Sequence, residues 1–209
     1  MEFILSEACC LSKPLCDALD RYRYDVFVGK LGWQLDTPRG IERDQFDRPE
    51  TVYVIARNDE QQIIGCARLL PTTRPYLLGS LFPQLMHDQP IPCSDDIWEL
   101  SRFAAVDLQG SRAGIHVQQP SALAMDILKI AALHVQSKGA KRLITVSPLA
   151  MERLLRKSGF HVHRAAPPVL IEGHPTFACW LELSNPTPAT EGRPSGNTVI
   201  SDSCTQRLS

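Results

Sequence analysis

Residues 51–70 read TVYVIARNDEQQIIGCARLL, and the fold follows from what this stretch can form. Its two halves, 51–57 and 62–70, are rich in β-branched and apolar residues, and Asn58-Asp59-Glu60-Gln61 between them has the composition of a turn. The pair reads as an antiparallel hairpin. Upstream, Leu15, Leu19, Tyr22 and Val26 recur at spacings of four, three and four. That places them on one side of an amphipathic helix beginning near Pro14 and ending at Gly29 or Gly32. Residues 33–50 break the pattern with Pro38, Gly40, Pro49 and five acids, Asp36, Glu42, Asp44, Asp47 and Glu50. They are too polar and irregular for core, and they predict a long surface loop of the length often used as a lid or binding loop.

Downstream of the hairpin, a short helical piece is expected around residues 81–86 and a third strand over 98–106. Leu123, Ile127, Ile130, Ala131 and His134 carry helical spacing through 121–137 until Gly139 stops it. A buried strand over 142–147 precedes a helix from Pro148 to the stop at Gly159, and a last strand occupies 176–183. The order α, β-hairpin, β, α, β, α, β predicts an α/β fold, a mixed sheet with helices on both faces. From Ser184 the composition shifts to Pro, Ser, Thr, Gly and Asn. One domain over 1–184 is therefore expected, with a disordered tail over 185–209 that buries too little to offset its ordering entropy.

Twenty-two Lys and Arg balance 23 Asp and Glu in the 209 residues, a net charge of -1. No global basic field drives binding to nucleic acid or to a membrane surface, and no apolar run approaches the ~20 residues of a membrane span. The seven cysteines are scattered, with no C-x-x-C pair and no basic leader before them, which fits a reducing cytoplasm. His161 and His163 have no nearby cysteine or second histidine pair to complete a zinc shell. They predict two histidines on one face of a strand, and no metal site.

The chemistry resides in ionised residues on predicted inner elements. Arg23 and Phe27 lie one turn apart on the opening helix, Trp33 at its exit, Asp44 and Asp47 in the acidic loop, and Arg68 on the second hairpin strand. The third strand carries Trp98-Glu99-Leu100-Ser101-Arg102-Phe103. Charges inside a central sheet are costly unless paired, and a cluster of both signs is what a zwitterionic ligand requires.

The pattern Arg23-x3-Phe27-x5-Trp33-x10-Asp44-x2-Asp47, then Arg68, then Glu99-x-Ser101-Arg102 resembles the signature of the acyl-homoserine-lactone synthases, the autoinducer synthases of quorum sensing. Stretches such as Glu42-Arg43-Asp44-Gln45-Phe46-Asp47 and Gly65-Cys66-Ala67-Arg68-Leu69-Leu70-Pro71-Thr72-Thr73 read like the family, and the likeness covers about residues 1–183. The resemblance implies an acetyltransferase-like fold, a twisted mixed sheet with a V-shaped cleft between its middle strands. It implies a reaction in which acyl carrier protein delivers an acyl group to the α-amine of S-adenosylmethionine. The lactone then closes, releasing 5′-methylthioadenosine and holo carrier protein. S-adenosylmethionine is a substrate, and no cofactor is implied. No Gln/Arg-x-x-Gly-x-Gly/Ala pyrophosphate loop occurs in the chain, which favours a carrier-protein donor over coenzyme A.

Under that resemblance an amine of pKa about 8 needs a base, and Glu99 is the candidate, more basic if buried. Phe27 and Trp33 supply a dry wall and a π face, and Phe103 joins them on the nucleotide side. Asp44 and Asp47 either meet the ammonium and sulfonium or hold Arg23 and Arg68 in place. Arg102 or Arg23 pairs with the carboxylate, and Ser101 anchors either ligand. The strand around Leu143 and Thr145 borders an acyl pocket lined also by Met125, Leu149 and Leu154, with Thr145 favouring a 3-oxygenated medium-length chain. The basic residues Arg153, Arg156 and Lys157 form an expected docking face for the acidic carrier protein. Two other readings stay open. A coenzyme A-dependent N-acyltransferase of the same fold would not need the acidic loop, and a non-catalytic adenosylmethionine-binding module would tolerate loss of Glu99.

Overall fold

The computed structural model describes residues 1–109, 122–157, 159–183 and 197–200, with backbone only at Ala150, Arg153, Leu154 and the last four. Nine strands form one mixed sheet in the order β6-β8-β5-β4-β3-β2-β1-β9, with β7 on the flank of β8. The hairpin is its centre. β2 (Val52–Arg57) and β3 (Ile63–Pro71) pair antiparallel in the register Val52↔Leu69. β1 (Glu2–Glu7) extends the sheet antiparallel to β2, and β4 (Ile97–Ala105) pairs antiparallel with β3.

β5 (Arg142–Pro148) runs parallel to β4 and antiparallel to β8 (His174–Glu182). Its pairing with β4 is brief, Ile97↔Arg142, Trp98↔Leu143 and Glu99↔Ile144, whereas its pairing with β8 runs from Arg142 through Pro148. Beyond Glu99 and Ile144 the two middle strands therefore part, and a V-shaped cleft opens in the sheet. β6 (His161–Arg164) and β7 (Val169–Ile171) complete that edge. The two histidines of β6 are both exposed, with ring centroids 5.5 Å apart, so they share a face as the alternation of a strand dictates.

α1 (Lys13–Arg23) and the short α2 (Leu77–Leu81) cover one face of the sheet, and α3 (Ala122–Ser137) and α4 (Leu149–Arg156) the other. The stripe Leu19, Tyr22 and Val26 is buried against Ile4, Tyr53, Ile55 and Cys66. Across the sheet, Ile127, Leu128, Ala131 and Val135 of α3 meet Val54, Ala67, Leu69 and Leu143. Among the described residues no helix is long and apolar enough to cross a membrane. Among the described residues no cysteine forms a disulfide, and Cys204 lies outside them.

Four features depart from the sequence expectations. β1 was not anticipated, because Phe3, Ile4 and Leu5 are all buried and a strand covered on both faces shows an apolar run without alternation. The opening helix changes its winding at Tyr24, where a π-helical segment (Tyr24–Lys30) replaces the α-helix. Pro148 closes β5 rather than opening a helix. In the expected tail, Asn197–Ile200 forms β9, parallel to β1; residues 184–196 and 201–209 lie outside the described part.

Gly65 shows how tightly α3 sits on the hairpin. A Cβ there would lie 2.5 Å from Ile127 Cδ1 and 3.1 Å from the Ala104 carbonyl oxygen. Gly65→Val should therefore destabilise the protein by about 2–3 kcal/mol, read as a lower urea midpoint at unchanged slope. An unaltered midpoint would mean that α3 shifts freely on the sheet.

Candidate active site

The acidic loop is not a surface loop at its centre. Glu42 is 1% exposed, Phe46 0%, and the Asp47 side chain 0%. The reason is charge. Arg23 and Arg68 are fully buried and Arg102 nearly so, and a buried guanidinium, which cannot shed its proton, needs carboxylates around it. Arg23 donates through Nε to Glu42 at 2.5 Å and through Nη1 and Nη2 to the two Asp47 oxygens at 2.8 and 3.0 Å. Arg68 Nη1 reaches Asp44 at 2.6 Å and Asp47 at 2.8 Å, while its Nε donates to Ser101 Oγ at 3.0 Å. Arg102 Nη2 bridges Glu42 at 3.0 Å and Asp44 at 2.8 Å. Three cations and three anions alternate, so the network closes with zero net charge.

The loop is folded to present these carboxylates. The Glu42 N–H donates to the Asp20 carbonyl of α1 at 3.0 Å, Asp44 Oδ1 accepts from the Phe46 N–H at 2.9 Å, and Asp47 Oδ2 accepts from the Asp44 N–H at 2.8 Å. Such aspartate turns let a short acidic segment satisfy its own backbone. The Tyr53 hydroxyl also donates to Asp47. Burial by itself would push the Asp47 carboxyl up, but the guanidinium groups of Arg23 and Arg68 hold it far below the usual carboxylate range. Asp44 and Asp47 thus hold the arginines. Glu42, absent from the expected site residues, is as central as either aspartate; its sequence signal was its place in the same acidic loop, two residues before Asp44.

A β-bulge aims Arg102. Between the pairs Cys66↔Ala104 and Arg68↔Ser101, β4 carries one more residue than β3, and Arg102 adopts φ 48°. Strict alternation would send Arg102 to the side of Leu100. The extra residue turns it to the face of Glu99 and Ser101, a use typical of bulges beside functional sites. Its guanidinium then lies 5.7 Å from the Phe27 ring and 5.6 Å from the Trp33 ring. Those rings stack at 4.7 Å where the chain turns back after the π-helical segment, with Gly32 at φ 71° and the Trp33 N–H closing onto the Phe27 carbonyl at 2.9 Å. Phe27 is 2% exposed and Trp33 38%, so the stack runs from core to surface.

Phe103 is not part of this arrangement. It packs with the core under α3, on the opposite face, because the bulge restores alternation one residue later. Glu99 is fully buried at the mouth of the cleft, where Oε2 accepts from the Leu77 N–H at 2.9 Å and Oε1 from the Leu78 N–H at 2.7 Å. It serves the first turn of α2, whose N-cap Tyr76 offers no side-chain bond. Burial pushes its carboxyl up to about 7, against the pull of the two N–H donors and of Arg68 and Arg102.

Of the expected acyl lining, Leu143 is buried, Thr145 is 5% exposed on the same side of β5, and Met125 is half-buried on α3. Leu149 is 39% exposed at the start of α4, and the Leu154 side chain lies outside the described residues. On the expected docking face, Arg156 and Lys157 are exposed, Arg156 bonded to Glu152 at 2.8 Å; the Arg153 side chain is likewise outside the described part.

Comparison with known proteins meets this geometry. Residues 9–187 match the family model described as autoinducer synthase. An acyl-homoserine-lactone synthase of Acinetobacter nosocomialis is 50% identical over 172 residues, 82% of this chain and 94% of the relative. Among solved structures, TofI in a ternary complex with an inhibitor and MTA is 43% identical with a TM-score of 0.76, covering 90% of this chain and 94% of that one. A CoA-dependent acyl-homoserine lactone synthase, MesI, is 25% identical at a TM-score of 0.72, covering 88% and 90%. The fold alone is shared with a putative N-acetyltransferase from Lactobacillus plantarum, 16% identical with a TM-score of 0.59. With the family match covering β2 to β8, the acidic loop and the bulge, the chain belongs to the acyl-homoserine-lactone synthases, the enzymes that make quorum-sensing autoinducers.

Proposed function

We propose that this synthase takes its acyl group from acyl carrier protein and its homoserine from S-adenosylmethionine. In the first step the α-amine nitrogen attacks the thioester carbonyl, the carbon–sulfur bond breaks, and the carrier thiol leaves. In the second, a methionyl carboxylate oxygen attacks the γ-carbon and the sulfonium departs as the neutral thioether 5′-methylthioadenosine. The observation that carries this reading is the junction of two features at one point: the neutral six-charge network backed by the Phe27–Trp33 stack, and the cleft where β4 and β5 part. The first suits a ligand bearing ammonium, carboxylate and sulfonium; the second suits an extended thioester. The MTA held by TofI supports the nucleotide half. Thr145, beside the parting strands and given no hydrogen-bond partner by the described residues, is the group for an oxygen on C3 of the acyl chain.

The test is incubation with S-adenosylmethionine and matched acyl-carrier and acyl-coenzyme A donors, with the lactone and methylthioadenosine followed by mass spectrometry. Carrier-protein donors should give the higher kcat/KM. Faster turnover of the coenzyme A thioesters would reverse the donor assignment, which the likeness to a CoA-dependent synthase makes the competing reading.

Glu99, with a pKa of about 7, is half-ionised at neutral pH, and only its carboxylate accepts the amine proton. The rate should therefore fall about tenfold per pH unit below 7 and level off above it. Glu99→Gln should lower kcat about 10²-fold and abolish that limb, with a much smaller change in adenosylmethionine affinity. Retained kcat would remove Glu99 from the proton transfer and leave it as the anchor of α2.

Glu42 joins Arg23 to Arg102, so Glu42→Gln leaves an uncompensated buried positive charge. A loss of about 3 kcal/mol in urea denaturation is expected, together with weaker adenosylmethionine binding by calorimetry. Parental values of both would mean that the arginines find their geometry without it.

Reversal of Arg156 and Arg153 to Glu should raise KM for the acylated carrier several-fold while leaving that for adenosylmethionine alone. Equal effects on both substrates would dismiss the docking face.

A further inference from the structure

Away from the charge network, the chain carries two adjacent thiols in the short 3-10 turn Ala8–Cys10 that follows β1. Cys9 is exposed and Cys10 partly so, and their sulfurs lie 3.7 Å apart. The Cys9 thiol also points at Glu7 Oε2, 3.7 Å away. The remaining described thiols differ. Burial pushes Cys66 and Cys179 up to about 12, Cys16 is half-buried against the Leu11 carbonyl, and Cys93 has no described thiol beside it. Among the described residues, only Cys9 and Cys10 form a solvent-reachable pair that one reagent can bridge.

The pair sits on a turn that holds the acidic loop. The Ala8 N–H donates to the Thr51 carbonyl at 2.8 Å and the Cys9 N–H to the Pro49 carbonyl at 2.9 Å. Thr51 Oγ1 in turn donates to the Phe46 carbonyl at 2.6 Å and accepts from the Arg48 N–H at 3.0 Å. Pro49 is two residues from Asp47, the carboxylate shared by Arg23 and Arg68. The backbone of the thiol pair and the backbone of the active-site loop are thus one hydrogen-bonded unit.

We infer that Cys9 and Cys10 form a vicinal dithiol that a hydroperoxide oxidises reversibly, and that the oxidised form loosens the acidic loop. One thiolate attacks the peroxide oxygen, the O–O bond breaks, and a sulfenic acid forms with release of water. The second thiol attacks that sulfur and displaces a second water. Two thiols lose two protons and two electrons, and hydrogen peroxide is reduced to two waters. Closure must bring the sulfurs from 3.7 Å to about 2.0 Å within a ring that contains the Cys9–Cys10 peptide. The turn cannot keep its shape through that contraction, and the bond from Cys9 to Pro49 is the first to go. The consequence for substrate, weaker adenosylmethionine binding, rests on the function proposed above; the site and its coupling to the loop do not.

The full chain, reduced and then exposed to hydrogen peroxide, should yield a peptide in which Cys9 and Cys10 have lost two hydrogens and resist alkylation until dithiothreitol is added. Amides of residues 46–51 should exchange with solvent about tenfold faster in the oxidised form. Phenylarsine oxide, which bridges paired thiols, should bind the reduced protein once. Cys10→Ser should abolish the cross-link and the arsenical adduct, and keep slow exchange at 46–51 under peroxide. Independent alkylation of both cysteines after peroxide overturns the site. A disulfide that leaves exchange at 46–51 unchanged overturns the coupling. Loosened exchange with unchanged adenosylmethionine affinity would tell against the functional reading and not against the thiol switch.

Discussion

A guanidinium removed from water stays charged, so the burial of Arg23, Arg68 and Arg102 under α1 obliges the chain to bring three carboxylates to the same place. Most of the site's architecture answers that demand. The acidic loop dives beneath α1 because Glu42, Asp44 and Asp47 are needed there, and Phe46 goes with them into the core beneath Arg68. Alternation of sign makes each arginine a bridge between two acids and each acid a bridge between two arginines, which is why one missing member would leave a buried charge unmet.

The network also decides how the aromatic wall is built. Arg102 reaches both Glu42 and the Phe27–Trp33 stack because β4 bulges beside it, and Trp33 lies on Phe27 where the chain turns back through Gly32 after the π-helical segment. Two local departures from regular geometry, one in a strand and one in a helix, thus converge on a single cation. Glu99, two residues before Ser101 on β4, stands apart from the network and is held by backbone N–H groups instead. It is as buried as Asp47, but its hydrogen bonds come from backbone N–H groups rather than from guanidinium groups, so burial leaves its proton affinity near neutrality while Arg23 and Arg68 keep Asp47 ionised, and two carboxylates of one site acquire different chemistry.

The hairpin, the third strand, α3 and β8 were legible because each announces itself locally: alternating or β-branched runs between turn residues, or a 3.6-residue stripe ending in glycine. The strand β1 was not, since an apolar run of three has no period to read. Arg68, Glu99 and Arg102 stood out as charges on predicted inner strands, and the resemblance joined Arg23, Phe27, Trp33, Asp44 and Asp47 to them. Phe103 was grouped with them by adjacency alone, and the bulge that redirects Arg102 returned it to the opposite face.

What the sequence by itself determined is the order and kind of the central elements and the stock of charges that must neutralise one another, because hydrophobic period and ionisable side chains are properties of the chain. Only the tertiary structure decided which acid serves which arginine, that Glu42 belongs among them, and that Glu99 caps α2. Those outcomes depend on a register slip between β3 and β4 and on a loop that folds back to meet α1, as Glu42 does at Asp20. Non-local pairing of this kind leaves no periodic trace in the residues that make it.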